Sequence, residues 1–131
     1  MTGRGRRLSE GGFTFIELLI VLAIMALLSG LAVSVSMSKI RQSKESALKE
    51  DLRGLRKALD DFYADHGKYP VKLTDLVEGH YLRSIPTDPL TDSDATWQLV
   101  TSQDPAQKGG IVDIHSGSEE KTSDGKSYGE W

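Results

Sequence analysis

Three patterns of polar and apolar positions follow one another along the chain. Residues 1–12, MTGRGRRLSEGG, are polar and glycine-rich and hold little to bury. From Phe13 to Val35 the sequence is apolar, with Glu17 as its one charge. At 1.5 Å per residue such a run makes roughly 35 Å of helix, enough to cross a hydrocarbon layer of about 30 Å with a slight tilt. Beyond Met37, with no proline in between, the pattern turns amphipathic: Leu48, Leu52, Leu55, Leu59 and Phe62 recur at alternating spacings of four and three. That spacing draws one apolar stripe along a helix. Lys44, Glu45, Lys49, Glu50, Arg53, Arg56, Lys57, Asp60 and Asp61 fall between, several at spacings that let opposite charges meet. The pattern predicts a single helix from about Thr14 to Ala64, in which Gly54 costs about 1 kcal/mol relative to alanine.

DHGKYP ends that helix, because Gly67 accepts the left-handed backbone of a helix terminus and Pro70 holds Tyr69 extended. LTDLVEG offers one or two further turns, with Thr74 as N-cap and Gly79 as stop. IPTDP is a stiff extended or turn segment. Thr96–Ser102 (TWQLVTS) and Gly110–Ser116 (GIVDIHS) are β-rich and read as an antiparallel pair, with Leu99, Ile111 and Ile114 turned toward the helix stripe. The tail is a polar loop ending in Tyr128 and Trp131. The expected fold class is α+β: a long N-terminal helix, half membrane-spanning and half amphipathic, packed on a small C-terminal antiparallel sheet. The expected organisation is a basic leader at 1–12, a transmembrane helix at 13–36 and a head at 37–131 that includes the amphipathic helix 37–64.

With 131 residues, part of them apolar enough for lipid, the globular portion must be modest. The chain has no cysteine, which removes disulfides and thiolate metal sites. The formal charge of −3 is unevenly spread: Arg4, Arg6 and Arg7 oppose Glu10 at the tip, whereas acids outnumber bases beyond Asp65. Positive residues flanking a span keep that side cytoplasmic, so the head is expected on the other side. An acidic head makes nucleic acid an unsuitable partner. His66, His80 and His115 lack metal-ligand spacing, SGS is not a nucleophile elbow, and Asp65 and His66 point in different directions on a helix. No catalytic constellation emerges, and the chain is expected not to be an enzyme.

Glu17 then needs a reason. A carboxylate inside a membrane helix costs about 2.5–3.5 kcal/mol at mid-span. One answer is that it lies near enough to the cytoplasmic end to reach the interface. The other is a cation at matching depth, and none lies between Phe13 and Ser38 in the segment itself. Cutting between Gly12 and Phe13 would create an α-ammonium at nearly that depth, which a helix offset by one subunit would bring to the Glu17 of a neighbour. An ordinary secretory signal cut at Ala32–Ser34 is the competing processing reading, opposed by the charge in the apolar region and by helical pattern continuing past Ser36.

The residues GG-FTFIELLIVLAIMALLSGLAV resemble the leader and first helix of type IV pilins and pseudopilins. YADHGKYP, YLRSIPTDP, the Trp-containing strand, VDIHSGS and the terminal DGKSYGEW are together similar to the major pseudopilins of type II secretion systems, over most of residues 9–131. The resemblance implies cleavage by a prepilin peptidase after Gly12, N-methylation of Phe13, and a role for Glu17 in assembly. It implies a homo-oligomeric filament in the periplasm, drawn from the inner membrane with its N-terminus cytoplasmic and its head periplasmic. The implied partners are minor pseudopilins, the peptidase, an inner-membrane assembly platform with its ATPase, a secretin channel, and membrane lipid before assembly.

The resemblance also implies calcium in the C-terminal loop, for which Ser116, Glu119 and Asp124 are the candidate ligands, together with Glu120, although Lys121 and Lys126 intrude and the spacing differs. The family's proline near Ser34 is missing here. Two alternatives stay open: a type IV pilus subunit serving adhesion, motility, DNA uptake or electron transfer, and a single-pass membrane protein whose helix 37–64 pairs with a partner as a coiled coil.

Overall fold

The computed structural model describes residues 3, 12 and 14–131. Its elements are helix α1 (Phe15–His66), helix α2 (Leu73–Glu78), strand β1 (Gln98–Thr101), a 3₁₀ turn (Pro105–Gln107), strand β2 (Ile111–His115) and a second 3₁₀ turn (Tyr128–Glu130). Two compact units divide at Lys39/Ile40.

The first unit carries the apolar part of α1. Its best 18-residue window has a mean hydropathy of 2.8 and is 0 % buried, making α1 long and apolar enough to cross a membrane. Ile16, Leu19, Leu22, Leu27 and Leu31 are all exposed. A face this apolar all round is stable only in lipid or against other helices. The helix continues through Ser34, whose hydroxyl donates to the Gly30 carbonyl (3.2 Å).

The second unit is the head, and its core is the stripe read from the sequence. Leu48, Leu52, Leu55, Leu59 and Phe62 are each buried, joined by Ala58. They pack with Leu73 and Leu76 of α2, Trp97, Ile111 and Ile114 of the sheet, and Tyr128 of the tail. The stripe is therefore consumed by the chain's own sheet, and the coiled-coil alternative loses its interface.

At the end of α1, Gly67 has φ of 69° and its N–H donates to the Tyr63 carbonyl (2.8 Å), the glycine terminus expected. Gln107 then fastens the departing chain: its Oε1 accepts from Tyr69 N–H (3.1 Å) and its Nε2 donates to the Gly67 carbonyl (3.2 Å). One local expectation, the cap of the next helix, is corrected. Helix α2 begins at Leu73, so Thr74 lies inside it; the capping group is the Asp75 carboxylate, which accepts from the N–H groups of Val71 (3.2 Å) and Lys72 (3.0 Å). Gly79 does follow the helix, but the left-handed residue is His80, with φ of 64°. Gly79 is required for space, since a Cβ there would come within 2.8 Å of the Tyr81 ring.

β1 and β2 pair antiparallel with Leu99 opposite Ile114 and an irregularity at Val100/Thr101. Ile111 and Ile114 are fully buried, whereas Leu99 is 44 % exposed. The expected inward packing of Leu99 fails because β1 is the outer strand of only two, and Trp97, just ahead of it, takes the place over the core.

Candidate functional site

Two places hold the residues that matter: the first turn of α1, and the seam where the C-terminal loop meets the head. In the first, the Thr14 hydroxyl accepts from Glu17 N–H (3.1 Å) and the Thr14 carbonyl from Leu18 N–H (3.1 Å), so Thr14 is the N-cap. Glu17 lies in the first helical turn, where unpaired N–H groups favour a negative charge. Its charge thus stands at the positive end of an exposed apolar helix. Gly12 is exposed and its α-carbon has open space around it. Phe13, the other half of the expected cleavage site, lies outside the described residues.

At the seam, Arg56 of α1 donates from Nε to Asp113 Oδ1 (2.8 Å) and from Nη2 to the Ile114 carbonyl (3.1 Å) and to the Trp131 carbonyl. Burial alone would raise the Asp113 carboxyl, but the Arg56 hydrogen bond, the Ile114 N–H and the nearby cationic groups outweigh it and hold the group below the usual carboxylate range. His115 Nδ1 also lies 3.1 Å from the Trp131 carbonyl. Tyr128, fully buried, donates its hydroxyl to Glu45 (2.6 Å). Burial first, then that bond, push its phenol up to about 12, so it stays a neutral donor at any physiological pH. Its ring meets Trp131 edge to face, and Lys49 stands over the Trp131 ring at 4.8 Å. The tail is thereby tied to α1 and β2 at several points.

Asp88, in the IPTDP segment, is 0 % exposed. Its Oδ1 accepts from Leu90 N–H (2.9 Å), and its Oδ2 from the Ser116 hydroxyl (2.6 Å) and Gly117 N–H (3.1 Å). Asp51, half-buried on α1, has its carboxyl raised by burial first and then by the negative charges of Asp88 and Glu50. A raised folded-state value means that folding loses stability as pH climbs out of the acid range. Asp51→Asn is therefore expected to raise the melting temperature of the head at pH 7. The gain should vanish below about pH 4, where both states are protonated; thermal melts across pH check it.

Of the three residues expected at a calcium site, one is buried and two are exposed. Ser116, expected to face an ion, is 1 % exposed and commits its proton to Asp88 and a lone pair to Ser118 N–H (3.2 Å). Glu119 and Asp124 are exposed. Asp124 lines a surface hollow with Glu45, Lys49 and Lys126, so its neighbours include two ammonium groups. Among the described residues, no three His, Cys, Asp or Glu side chains gather where an ion could be held. The histidines are separate in role: His66 stacks on Phe62, while its neighbour Asp65 accepts from the Tyr81 hydroxyl (2.5 Å). Arg56 and Asp88 were not legible as functional from pattern. The nearest signal was Asp88 held between Pro86 and Pro89, a context that fixes its backbone.

An apolar helix with a carboxylate in its first turn, continuous with the core of a small α+β head, defines the class of pilin-like subunits. In agreement, residues 7–33 match the prokaryotic N-terminal methylation motif. The chain is 31% identical to type II secretion system core protein G of Klebsiella pneumoniae over 82% of its own length and 83% of the relative's. It is 28% identical to the protein of the same name from Klebsiella michiganensis, over 96% of each chain. A fimbrial protein, EcpC of Eikenella corrodens, is 30% identical over 58% of this chain and 53% of its own. No solved structure matches. The chain belongs to the type II secretion system core protein G family and is a pseudopilin subunit of type II secretion.

Proposed function

We propose that the chain is cut between Gly12 and Phe13 and methylated on the new α-amine, and that Glu17 of one subunit then pairs with that ammonium on the next. The subunit is a structural part of the filament and not an enzyme. Before assembly the segment 13–36 anchors it in the inner membrane, with the basic leader cytoplasmic and the head periplasmic. Assembly moves the apolar helix from lipid into contact with its copies, so helix packing and the Glu17 pair are the elements that drive it. The peptidase, the platform and its ATPase, minor pseudopilins and the secretin channel are the partners this role requires.

The observation that carries this reading is the position of Glu17: a lone acid in the first turn of an apolar helix that the monomer leaves exposed. The matched methylation motif supports the processing step. The pilus alternative rests on the fimbrial relative, whose match spans little more than half of either chain. Mass spectrometry of the mature protein from cells with prepilin peptidase tests the proposal. The expected N-terminus is methyl-Phe13, and an intact Met1 or a cut after Ser34 would overturn it. Deleting the gene should stop secretion of exoproteins without removing surface fibres.

A further inference from the structure

The family resemblance implies an ion in the C-terminal loop, and the donor set of this chain does not suit one. We propose that the loop of this chain closes without calcium, and that the buried Asp88 carboxylate does the gathering that a cation would otherwise do. The chemistry is reversed in sign. A cation collects oxygen acceptors, six to eight of them for calcium, whereas Asp88 collects three donors: Leu90 N–H, the Ser116 hydroxyl and Gly117 N–H. Two of these donors begin the loop that follows β2, and the third belongs to the segment ahead of β1. One carboxylate therefore joins two stretches that are distant in sequence.

Three further observations favour protein-only closure. Gly117 is pressed against the backbone: a Cβ there would fall 1.9 Å from the Thr96 carbonyl oxygen, so the start of the loop is seated directly on the segment ahead of β1 without an intervening group. Beyond it the loop is self-paired, with Thr122 N–H donating to the Lys126 carbonyl (2.8 Å), Gly125 N–H to the Thr122 carbonyl (3.0 Å), and a bridge between Lys121 and Ser127. Finally, the acid expected to hold calcium, Asp124, shares its hollow with Lys49 and Lys126, which already supply positive charge.

The proposal stands apart from the filament reading, since it concerns only the unfolding of the head. The test is thermal unfolding of the full chain in detergent micelles, followed by tryptophan fluorescence, in EDTA and in millimolar calcium chloride. Trp97 in the core and Trp131 at the seam report on it. The expected difference between the two buffers is below about 1 °C, whereas an extracellular-type site with Kd of about 10⁻⁴–10⁻³ M would raise the midpoint by several degrees at saturation. Asp88→Asn, which turns an amide N–H₂ toward the donors, is expected to lower the midpoint by about 5 °C or more in both buffers. Ser116→Ala, a milder change, should lower it by about 2–5 °C and keeps the test readable if Asp88→Asn fails to fold. Glu119→Gln with Asp124→Asn should leave it unmoved. A calcium-dependent rise in the parent that this double variant abolishes would overturn the proposal, as would an unchanged midpoint in both Asp88→Asn and Ser116→Ala.

Discussion

Glu17→Ala is expected to cut filament yield by about ten-fold or more while leaving the proposed cleavage after Gly12 and the melting of the head as they were. The magnitude follows from one charge-assisted pair in a dry helical core, worth about 1.5–3 kcal/mol, at 1.4 kcal/mol per factor of ten. The carboxylate lies in the first turn of α1, in the apolar unit, whereas the core of the head is built from residues beyond Lys39. Folding of the head therefore has no stake in it. Glu17→Gln separates charge from shape, since it keeps the size and hydrogen-bonding reach and removes only the ionisable group. It should resemble alanine if pairing with an ammonium is the role. Sheared-filament immunoblots beside secretion assays and N-terminal mass spectra measure all three, and parental filament levels in both variants would refute the pairing.

Arg56→Met is expected to produce the opposite phenotype, a head weakened by about 2 kcal/mol, or roughly 10 °C, in a chain whose apolar N-terminal segment is untouched. Methionine keeps much of the aliphatic stem. It removes the donors that serve Asp113, the Ile114 carbonyl and the Trp131 carbonyl. The figure is held to about 2 kcal/mol because the arginine and aspartate side chains are 38% and 40% exposed, and water replaces part of what is lost. The sign with pH follows from Asp113, whose folded-state value is depressed. Its contribution is complete above about pH 4 and is lost as pH falls through the lower folded value. The parent should therefore lose stability on acidification more steeply than Arg56→Met. Equal slopes would mean that Arg56 acts through its two carbonyl acceptors and its packing, and not through Asp113.

These two outcomes mark what pattern reveals and what it hides. The spacing of Leu48, Leu52, Leu55, Leu59 and Phe62 marked a buried face, but only the fold shows that the chain's own sheet, and not a partner helix, covers it. Gly67 before Tyr69 and Pro70 was equally readable, since only a glycine takes that φ without strain. Leu99 was misjudged because alternation marks a face, whereas burial of that face depends on how many strands the sheet has. Thr74 looked like a cap by residue type; the N-cap is Lys72, two residues earlier, and the Asp75 carboxylate does the capping instead. Arg56 was hidden among the other charges of its helix. Nothing local distinguishes it from Arg53 or Lys57, and only the distant loop that lands on it does. Asp88 and Ser116 lie far apart in sequence, so their bond was beyond any motif. Glu17 was legible because a lone charge in an apolar run is conspicuous without any knowledge of the fold.

The consumption of the α1 stripe by the head has a consequence for how this surface changes over time. Folding constrains one side of the helix at Leu48, Leu52, Leu55, Ala58, Leu59 and Phe62 and leaves Arg53, Lys57, Asp60 and Asp61 in solvent. On that outer side, charge is free to drift between lineages at little cost to the monomer. A residue that nonetheless stays fixed there would be held by something outside the subunit, so the pattern of drift along a single helix separates the demands of the fold from those of its surroundings.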